Sequence, residues 1–171
     1  MRSIKKIILL CTLGLISHYS QCQELTKRSW YSNTSIGLST YHFGSYSKQR
    51  PIFYLEQSFE IALLRKIRLG LGTGLNLYPA TLTIPVFANT RFIAASKNKW
   101  TCYITQSYGR NLKIGRIGFN SNRYTGNLGN SFKVGEKLWL QGELGYLINW
   151  DKYGGGSVSL NLNFGMSYKI K

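Results

Sequence analysis

Six charged side chains alternate with apolar neighbours, so in extended strands they would share one face: Glu56, Glu60, Arg68, Arg91, Lys133 and Glu143. An enclosed face cannot hold unpaired charges, because removing an ion from water without a partner is strongly unfavourable. We therefore predict a network of ion pairs that fills the interior of the protein. A gate or a proton-permeable path is the functional alternative for the same residues.

A hydrolytic or acyl-transfer site is the second chemistry to consider. His42 and Asp151 are the only histidine and the only aspartate beyond residue 22, and each falls near the end of a predicted strand. With Ser39 or Ser45 they could form a catalytic triad that acts on lipid. Polar residues at strand ends usually just meet solvent. The sequence therefore predicts no enzyme, and His42 and Asp151 remain weak catalytic candidates.

Gly70, Gly72 and Gly74 have a spacing similar to that of a dinucleotide-binding loop. Such a loop opens the helix of a βαβ unit, whereas the residues here continue an alternating strand pattern. We predict that these glycines relieve crowding on the inner face of a strand. Cys102 is the only cysteine beyond residue 22, which leaves no cysteine cluster for a metal. The sequence predicts neither a metal nor a cofactor.

The chain is strongly basic, with 22 Lys and Arg residues, six Asp and Glu residues and a net charge of +16. Seven basic residues fall in predicted connections at one end of the fold: Lys48, Arg50, Arg110, Lys113, Arg116, Arg123 and Lys152. They predict a surface for membrane lipids, above all for the phosphates of lipopolysaccharide. Ordinary solvated loop charge is the alternative. Nucleic acid is the other usual partner of basic proteins, but an exported protein would not meet it, and the N-terminus indicates export.

The N-terminus has the features of an export signal. Three basic residues precede an apolar run over residues 7–16, and a more polar stretch ends at Cys22. The run is too short for a spanning helix, which needs roughly 20 residues. We predict a signal peptide over residues 1–22 and one mature domain over residues 23–171. The mature net charge would be +13, because removal takes away three basic residues and no acidic one. Acylation of Cys22 is the alternative to its removal.

The rest of the chain alternates apolar and polar residues with the period of β-strands. Near the C-terminus, the even positions 158–170 are apolar and the odd positions between them are Ser, Asn, Gly or Lys. Similar segments predict eight strands, at residues 30–43, 52–64, 67–78, 84–95, 100–109, 124–134, 138–150 and 157–170. The connections at 44–51, 79–83, 110–123 and 151–156 are longer than those at 65–66, 96–99 and 135–137. Outer-membrane barrels have this asymmetry, with short periplasmic turns and longer outer loops.

The content of the polar face favours a membrane barrel over a soluble one. A water-exposed face normally carries many Lys and Glu residues, whereas here the polar positions are mostly Gly, Ser, Asn, Thr and Gln. Small polar side chains suit the narrow interior of an eight-stranded barrel. Aromatic residues near strand ends predict interfacial girdles: Trp30, Tyr31, Tyr41, Tyr78, Trp100, Tyr108, Tyr124, Trp150 and Tyr168.

Three segments carry a resemblance to a known family: IPVFANTRFIAASKNKWTCYITQSYGRN (84–111), GELGYLINW (142–150) and NLNFGMSYKI (161–170). With the Gln at position 23, they make the chain similar to the small outer-membrane β-barrel proteins of Bacteroidetes. The resemblance spans nearly all of the mature chain and implies an eight-stranded barrel, with no agreed activity or functional residues. The usual terminal aromatic residue is absent, and Tyr168 and Ile170 take its place.

The sequence as a whole predicts an all-β protein, an eight-stranded antiparallel up-and-down transmembrane β-barrel in the cell outer membrane. The predicted role is structural or surface-interacting, without catalysis. The expected partners are membrane lipids, lipopolysaccharide and the barrel assembly machinery. A soluble or periplasmic lipocalin-like barrel that binds a small apolar ligand is the first alternative, and a lipid-modifying outer-membrane enzyme is the second. The oligomeric state is left open.

Overall fold

Eight long strands make up nearly all of the described chain. The structure is a computed structural model that describes residues 29–43, 51–78, 82–114, 120–151 and 156–171. The strands are β1 (Trp30–Phe43), β2 (Ile52–Leu64), β3 (Ile67–Leu77), β4 (Leu82–Lys97), β5 (Trp100–Ile114), β6 (Ser121–Lys133), β7 (Leu138–Trp150) and β8 (Gly156–Lys169). None of the described residues belongs to a helix that is long and apolar enough to cross a membrane. The predicted signal peptide, with Cys22, lies outside the described residues.

Each strand pairs antiparallel with its neighbour in sequence, and β8 pairs with β1 to close the barrel. The short connections 65–66, 98–99 and 134–137 and both ends of the described chain lie at one end, here called the turn end. At the opposite end, here called the loop end, β1, β3, β5 and β7 end and β2, β4, β6 and β8 begin. The predicted topology of an up-and-down barrel is confirmed.

The stagger of the strands follows from the register. Stepping from Thr34 through paired residues once around the barrel reaches Gly156 in β8, whereas the β8 partner of Thr34 is Met166. The offset of ten residues, 166 minus 156, is the shear of the barrel. Eight strands with this shear tilt by about 40° from the barrel axis and leave an interior that side chains can fill.

The apolar face of the sheet points outward. Exposed hydrophobic side chains occur around the whole circumference, with Leu71 71% and Leu128 64% exposed. The buried side chains are mostly polar, among them Asn33, Ser159 and Asn161. A soluble lipocalin-like barrel has the opposite arrangement, with its apolar face inside. The described residues therefore form the inside-out pattern of a transmembrane barrel.

Several strand boundaries differ from the predicted ones, most of all in β4, β5 and β6. β5 continues to Ile114 and β6 begins at Ser121, so the predicted connection 110–123 shrinks to 115–120. β4 begins at Leu82 instead of residue 84. The segment after Gly109 is polar, which suggested a loop, but Asn111 is buried inside the barrel and paired with both neighbouring strands. Inside a membrane barrel a polar residue is as compatible with a strand as with a loop.

The predicted aromatic girdles are correct for several residues and wrong for Tyr31 and for Tyr78, which is half-buried near Arg123 and Glu56; the Tyr41 side chain lies outside the described part. Trp100 packs near Phe132 at the turn end, with ring centroids 4.8 Å apart, and Tyr108 lies 6.0 Å from Trp150 nearer the loop end. Tyr31 instead faces the interior and is buried. It follows an outward residue, Trp30, and alternation places neighbours on opposite faces.

Candidate functional site in the barrel interior

Arg91 on β4 is the centre of the interior. Its Nη2 lies 3.4 Å from Oε1 of Glu60 on β2 and 3.6 Å from Oε1 of Glu143 on β7. Glu60 is fully buried and Arg91 is 4% exposed. These three residues and Gln141 form what we call the central cluster. It joins strands on opposite sides of the barrel, so the guanidinium lies across the lumen.

Amides and a phenol complete the central cluster. Asn89 donates to Glu60 Oε1 at 2.8 Å, and Asn127 and Asn163 donate to Glu143 Oε2 at 2.9 and 3.3 Å. Arg91 Nη1 donates to Gln141 Oε1 at 3.1 Å. The guanidinium also lies 4.3 Å from the ring centroid of Tyr103. Each charge therefore has neutral donors or a π face in addition to its ion pair, as a buried ionic group requires.

A second ion pair lies nearer the loop end. Arg123 Nη1 donates to Glu56 Oε1 at 2.5 Å, and its guanidinium lies 5.0 Å from the Phe87 ring centroid. This loop-end pair corrects the sequence prediction, which placed Arg123 on the outer basic surface. β6 begins at Ser121, three residues earlier than predicted, so Arg123 lies on its inward face and is 2% exposed.

Two cations at the turn end contact aromatic rings. The Arg68 guanidinium lies 3.6 Å from the Tyr31 ring centroid, and Lys133 Nζ lies 5.7 Å from that of Trp139. The two rings pack edge to face at 6.2 Å. We call these four residues the turn-end cluster. Arg68 and Lys133 are on the inner face as predicted, but within the described chain neither forms an ion pair, so the predicted charge network is correct only for Glu56, Glu60, Arg91 and Glu143.

The mouth at the loop end is crossed by asparagines that the sequence analysis did not single out. Asn76 donates to Asn111 Oδ1 at 3.1 Å, and Asn111 donates to Asn149 Oδ1 at 2.9 Å. This asparagine bridge links β3, β5 and β7. Tyr78 lies just beyond β3, and burial raises the pKa of its hydroxyl, so it adds no charge to this end. The sequence did contain a signal for the bridge, because each of the three Asn residues lies at an alternate position of its strand that faces the barrel interior.

The glycines of β3 make room for the interior side chains. A Cβ on Gly72 would overlap the ring of Phe87, and one on Gly70 would overlap Asn89 and Glu60. All three glycines lie on the inner face of β3. The predicted role in relieving crowding is therefore correct, and the predicted exclusion of a dinucleotide loop agrees with their place in the middle of a strand.

The space left between these groups is small. A cavity of about 40 Å³ lies between the central cluster and the loop-end pair, lined by residues that include Asn33, Glu56, Arg91 and Thr105. Such a polar cavity can hold about three water molecules. Several lining atoms have no hydrogen-bond partner within the described chain, including Asn33 Oδ1, Arg91 Nε and Thr105 Oγ1. The geometry of the described residues suits a hydrated interior that is largely filled by side chains.

The candidate catalytic residues are not assembled by the described chain. The backbone of His42 pairs with Ser159 in β8, but the His42 side chain and Ser45 lie outside the described part. Asp151 follows β7, and Ser39 is buried in β1. The prediction of no enzyme stays untested. Within the described residues, no group of three or more His, Cys, Asp or Glu side chains could hold a metal ion.

The predicted basic surface is only partly described. Lys48, Arg50, Arg116 and Lys152 lie outside the described residues. Arg110 and Lys113 belong to β5 instead of a loop, and the Lys113 amide donates to Asn120 Oδ1 at 3.0 Å. Arg110 is exposed on the outward face, paired with Val86 and Asn122. It lies on the outward face of the sheet, two residues after Tyr108, whose ring is 6.0 Å from that of Trp150.

Comparison with known proteins identifies the fold. No family model matches the chain, and no curated protein does. Among solved structures, the chain is similar to Neisserial surface protein A (16% identity, 84% of this chain and 99% of that one, TM-score 0.64). It is also similar to the N-terminal β-barrel domain of Pseudomonas aeruginosa OprF (10% identity, 81% of this chain and 97% of that one, TM-score 0.53). A designed transmembrane β-barrel is a third similar structure (14% identity, 83% of this chain and 95% of that one, TM-score 0.51).

Proposed function

We propose that this protein is an outer-membrane barrel with a structural or surface-interaction role and that it is closed to dissolved solutes. One observation carries the proposal: exposed apolar side chains occur on every side of the barrel, while the interior is filled by paired charges and amides. The aliphatic exterior suits lipid, and paired charges in a narrow lumen suit a structural plug. The predicted signal peptide supplies the export route.

Membrane insertion can be tested by heat modifiability. The purified barrel should migrate differently in a detergent gel before and after boiling, because a closed transmembrane barrel stays folded in cold detergent. A protein that is a stable monomer in water without detergent contradicts the proposal. Closure is tested separately in lipid vesicles, where the wild type should give neither sugar-driven swelling nor steady ion conductance. Sustained conductance would favour the gate or proton path over a plug.

The location can be tested by cell fractionation and surface proteolysis. A protease site inserted within 115–120 should be cleaved on intact cells if the loop end faces outward. The matched control is the same insertion at 65–66, in the turn between β2 and β3, which should be cleaved only after the cells are opened. Equal cleavage at both sites on intact cells contradicts the proposed orientation.

We further propose that anionic lipid is the partner of the outer face near the loop end. Arg110 is exposed there with no hydrogen bond to the described chain, beside Asn122 and near two girdle aromatics. A guanidinium pairs with phosphate in two parallel hydrogen bonds, and lipopolysaccharide carries phosphates in the outer leaflet. Diphosphorylated lipid A should raise the melting temperature of the barrel in detergent, and Arg110→Gln should reduce this shift. Arg65→Gln, at the exposed turn end, is the control. A shift unchanged by Arg110→Gln, or one equal with dephosphorylated lipid, contradicts this assignment.

The proposal includes no catalysis. The purified barrel should be inert on phospholipid and lipopolysaccharide in esterase and acyl-transfer assays. Activity that disappears specifically in His42→Ala would instead support the lipid-modifying enzyme. The barrel assembly machinery remains a proposed partner through β8 and the residues after it, where Tyr168 and Ile170 are exposed. The resemblance to Bacteroidetes barrels stays a prediction.

A further inference from the structure

A polar row interrupts the apolar exterior on one side of the barrel. Thr90, Gln106, Gly126 and Tyr146 are successive register partners across the paired strands β4, β5, β6 and β7. We call them the Gln106 row. The rows on either side are mainly aliphatic or aromatic: Ile104 pairs with Leu128, and Tyr108 pairs with Tyr124. The outward position of Gln106 therefore places an amide among apolar side chains.

Gln106 lies within the part of the barrel that faces hydrocarbon. It is six residues along β5 from Trp100, which places it roughly 15 Å from the turn-end girdle for a strand tilted by about 40°. It lies one outward position before Tyr108 and eight residues before the end of β5. The apolar band of such barrels is about 25 Å tall. Its side chain is exposed, as are Ile104 and Leu128 beside it.

A second glutamine on the outer face shows how such an amide is satisfied within one chain. Gln57 on β2 donates to Ser32 Oγ at 2.7 Å and accepts a hydrogen bond from Thr34 Oγ1. The Gln106 amide has no such partner among the described residues. Hydrocarbon offers neither a donor nor an acceptor, and an unsatisfied amide there is unfavourable by several kcal/mol. The Gln57 amide therefore has its hydrogen-bond partners within the chain, whereas the Gln106 amide still needs a partner.

The surroundings of Gln106 can accept a close neighbour. Gly126, its partner on β6, has no side chain, and a Cβ there would overlap the Tyr146 ring and hydroxyl. Tyr146 therefore leans over β6 with its hydroxyl at the Gln106 row. The Tyr124 and Tyr146 rings lie 5.9 Å apart, next to the row. Amide, hydroxyl and aromatic surface thus form one continuous patch on the outer face.

From this patch we infer that a second copy of this chain docks along the Gln106 row in the membrane. A primary amide is self-complementary, because its Nε2 can donate to the Oε1 of an identical amide while its own Oε1 accepts. A two-fold axis along the membrane normal brings the same row of both copies together, as an isologous interface requires. Two reciprocal amide hydrogen bonds then satisfy both side chains. The inference goes beyond the proposed function and requires only that the barrel spans a lipid bilayer.

The first experiment measures association of the full-length mature barrel in phosphatidylcholine vesicles, by energy transfer between donor- and acceptor-labelled copies at several protein-to-lipid ratios. Wild-type barrels should dimerise. Gln106→Leu should weaken the dimer roughly tenfold or more, as expected for loss of two hydrogen bonds inside a membrane. Gln57→Leu is the matched control and should leave dimerisation unchanged, since that amide is satisfied within its own chain. Leucine on the lipid face is compatible with folding, which the gel shift on boiling verifies for each variant.

The second experiment locates the contact. In a Cys102→Ser background, Gln106→Cys should form a disulfide-linked dimer on mild oxidation in vesicles, whereas Gln57→Cys should stay monomeric. Three results overturn the inference: a wild type that is monomeric at every ratio, a dimer unaffected by Gln106→Leu, or crosslinking at position 57 in place of 106. A wild type that is monomeric when pure but captured by another membrane protein would also overturn it, because the occupant would not be a second copy.

Discussion

Replacing Arg91 by Met should destabilise the barrel by about 3–5 kcal/mol, because two buried carboxylates would lose their common counter-ion. The two ion-pair distances are 3.4 and 3.6 Å, so at an effective dielectric constant of about 20 each contact contributes about 5 kcal/mol of gross attraction. Desolvation of the three charges offsets much of that attraction. Removal of Arg91 leaves the desolvation cost of both carboxylates without the attraction that offset it, which is why the net effect remains large.

Glu143→Gln is the informative contrast to Arg91→Met. The central cluster holds two carboxylates for one guanidinium, so neutralising Glu143 leaves Arg91 paired with Glu60. The glutamine carbonyl can still accept hydrogen bonds from the neighbouring amides. The expected loss is therefore no more than about 1 kcal/mol, the size of an ordinary hydrogen bond. A variant that combines Arg91→Met with glutamine at both carboxylate positions should recover most of the stability.

The assay is reversible urea unfolding of each variant in detergent micelles, followed by tryptophan fluorescence and by the gel shift between folded and unfolded forms. The free energies are compared at one lipid or detergent concentration, since the folded state depends on it. The reasoning is refuted if Arg91→Met lies within about 1 kcal/mol of the wild type, or if Glu143→Gln is destabilised as strongly as Arg91→Met.

Three further results are expected. Gly72→Val should reduce the unfolding free energy by about 1–3 kcal/mol, because its side chain meets the Phe87 ring, whereas Gly135→Ala in an open turn should be nearly neutral in the same urea titration. Arg123→Leu should destabilise the barrel by about 3–5 kcal/mol, since it leaves the Glu56 carboxylate unpaired. An unchanged unfolding free energy would contradict the inward position of Arg123. Cys102, exposed on the outer face, should resist a charged water-soluble thiol reagent in vesicles and react after unfolding; equal rates would contradict its lipid contact.

The sequence determined the fold to a large extent. The period of two placed eight strands with few boundary errors, and the small polar residues of one face predicted which side encloses the lumen. A transmembrane barrel has two chemically distinct faces, and each strand records that difference along its length. The inward positions of Glu56, Glu60, Arg91 and Glu143 followed from the same alternation.

The tertiary structure decided which residues meet. Alternation along a strand predicts which face of the sheet a side chain lies on, but not its position along the barrel axis. Which side chains pair across the lumen depends on the register of eight strands and on a shear of ten residues. Arg123 reaches Glu56, 67 positions earlier, only because β6 starts before its polar segment suggested. Gln57 and Gln106 look alike in sequence, yet within the described chain only Gln57 is hydrogen-bonded to neighbouring hydroxyls. Periodicity along a strand is a local property, whereas partners across and beside the barrel are set by closure.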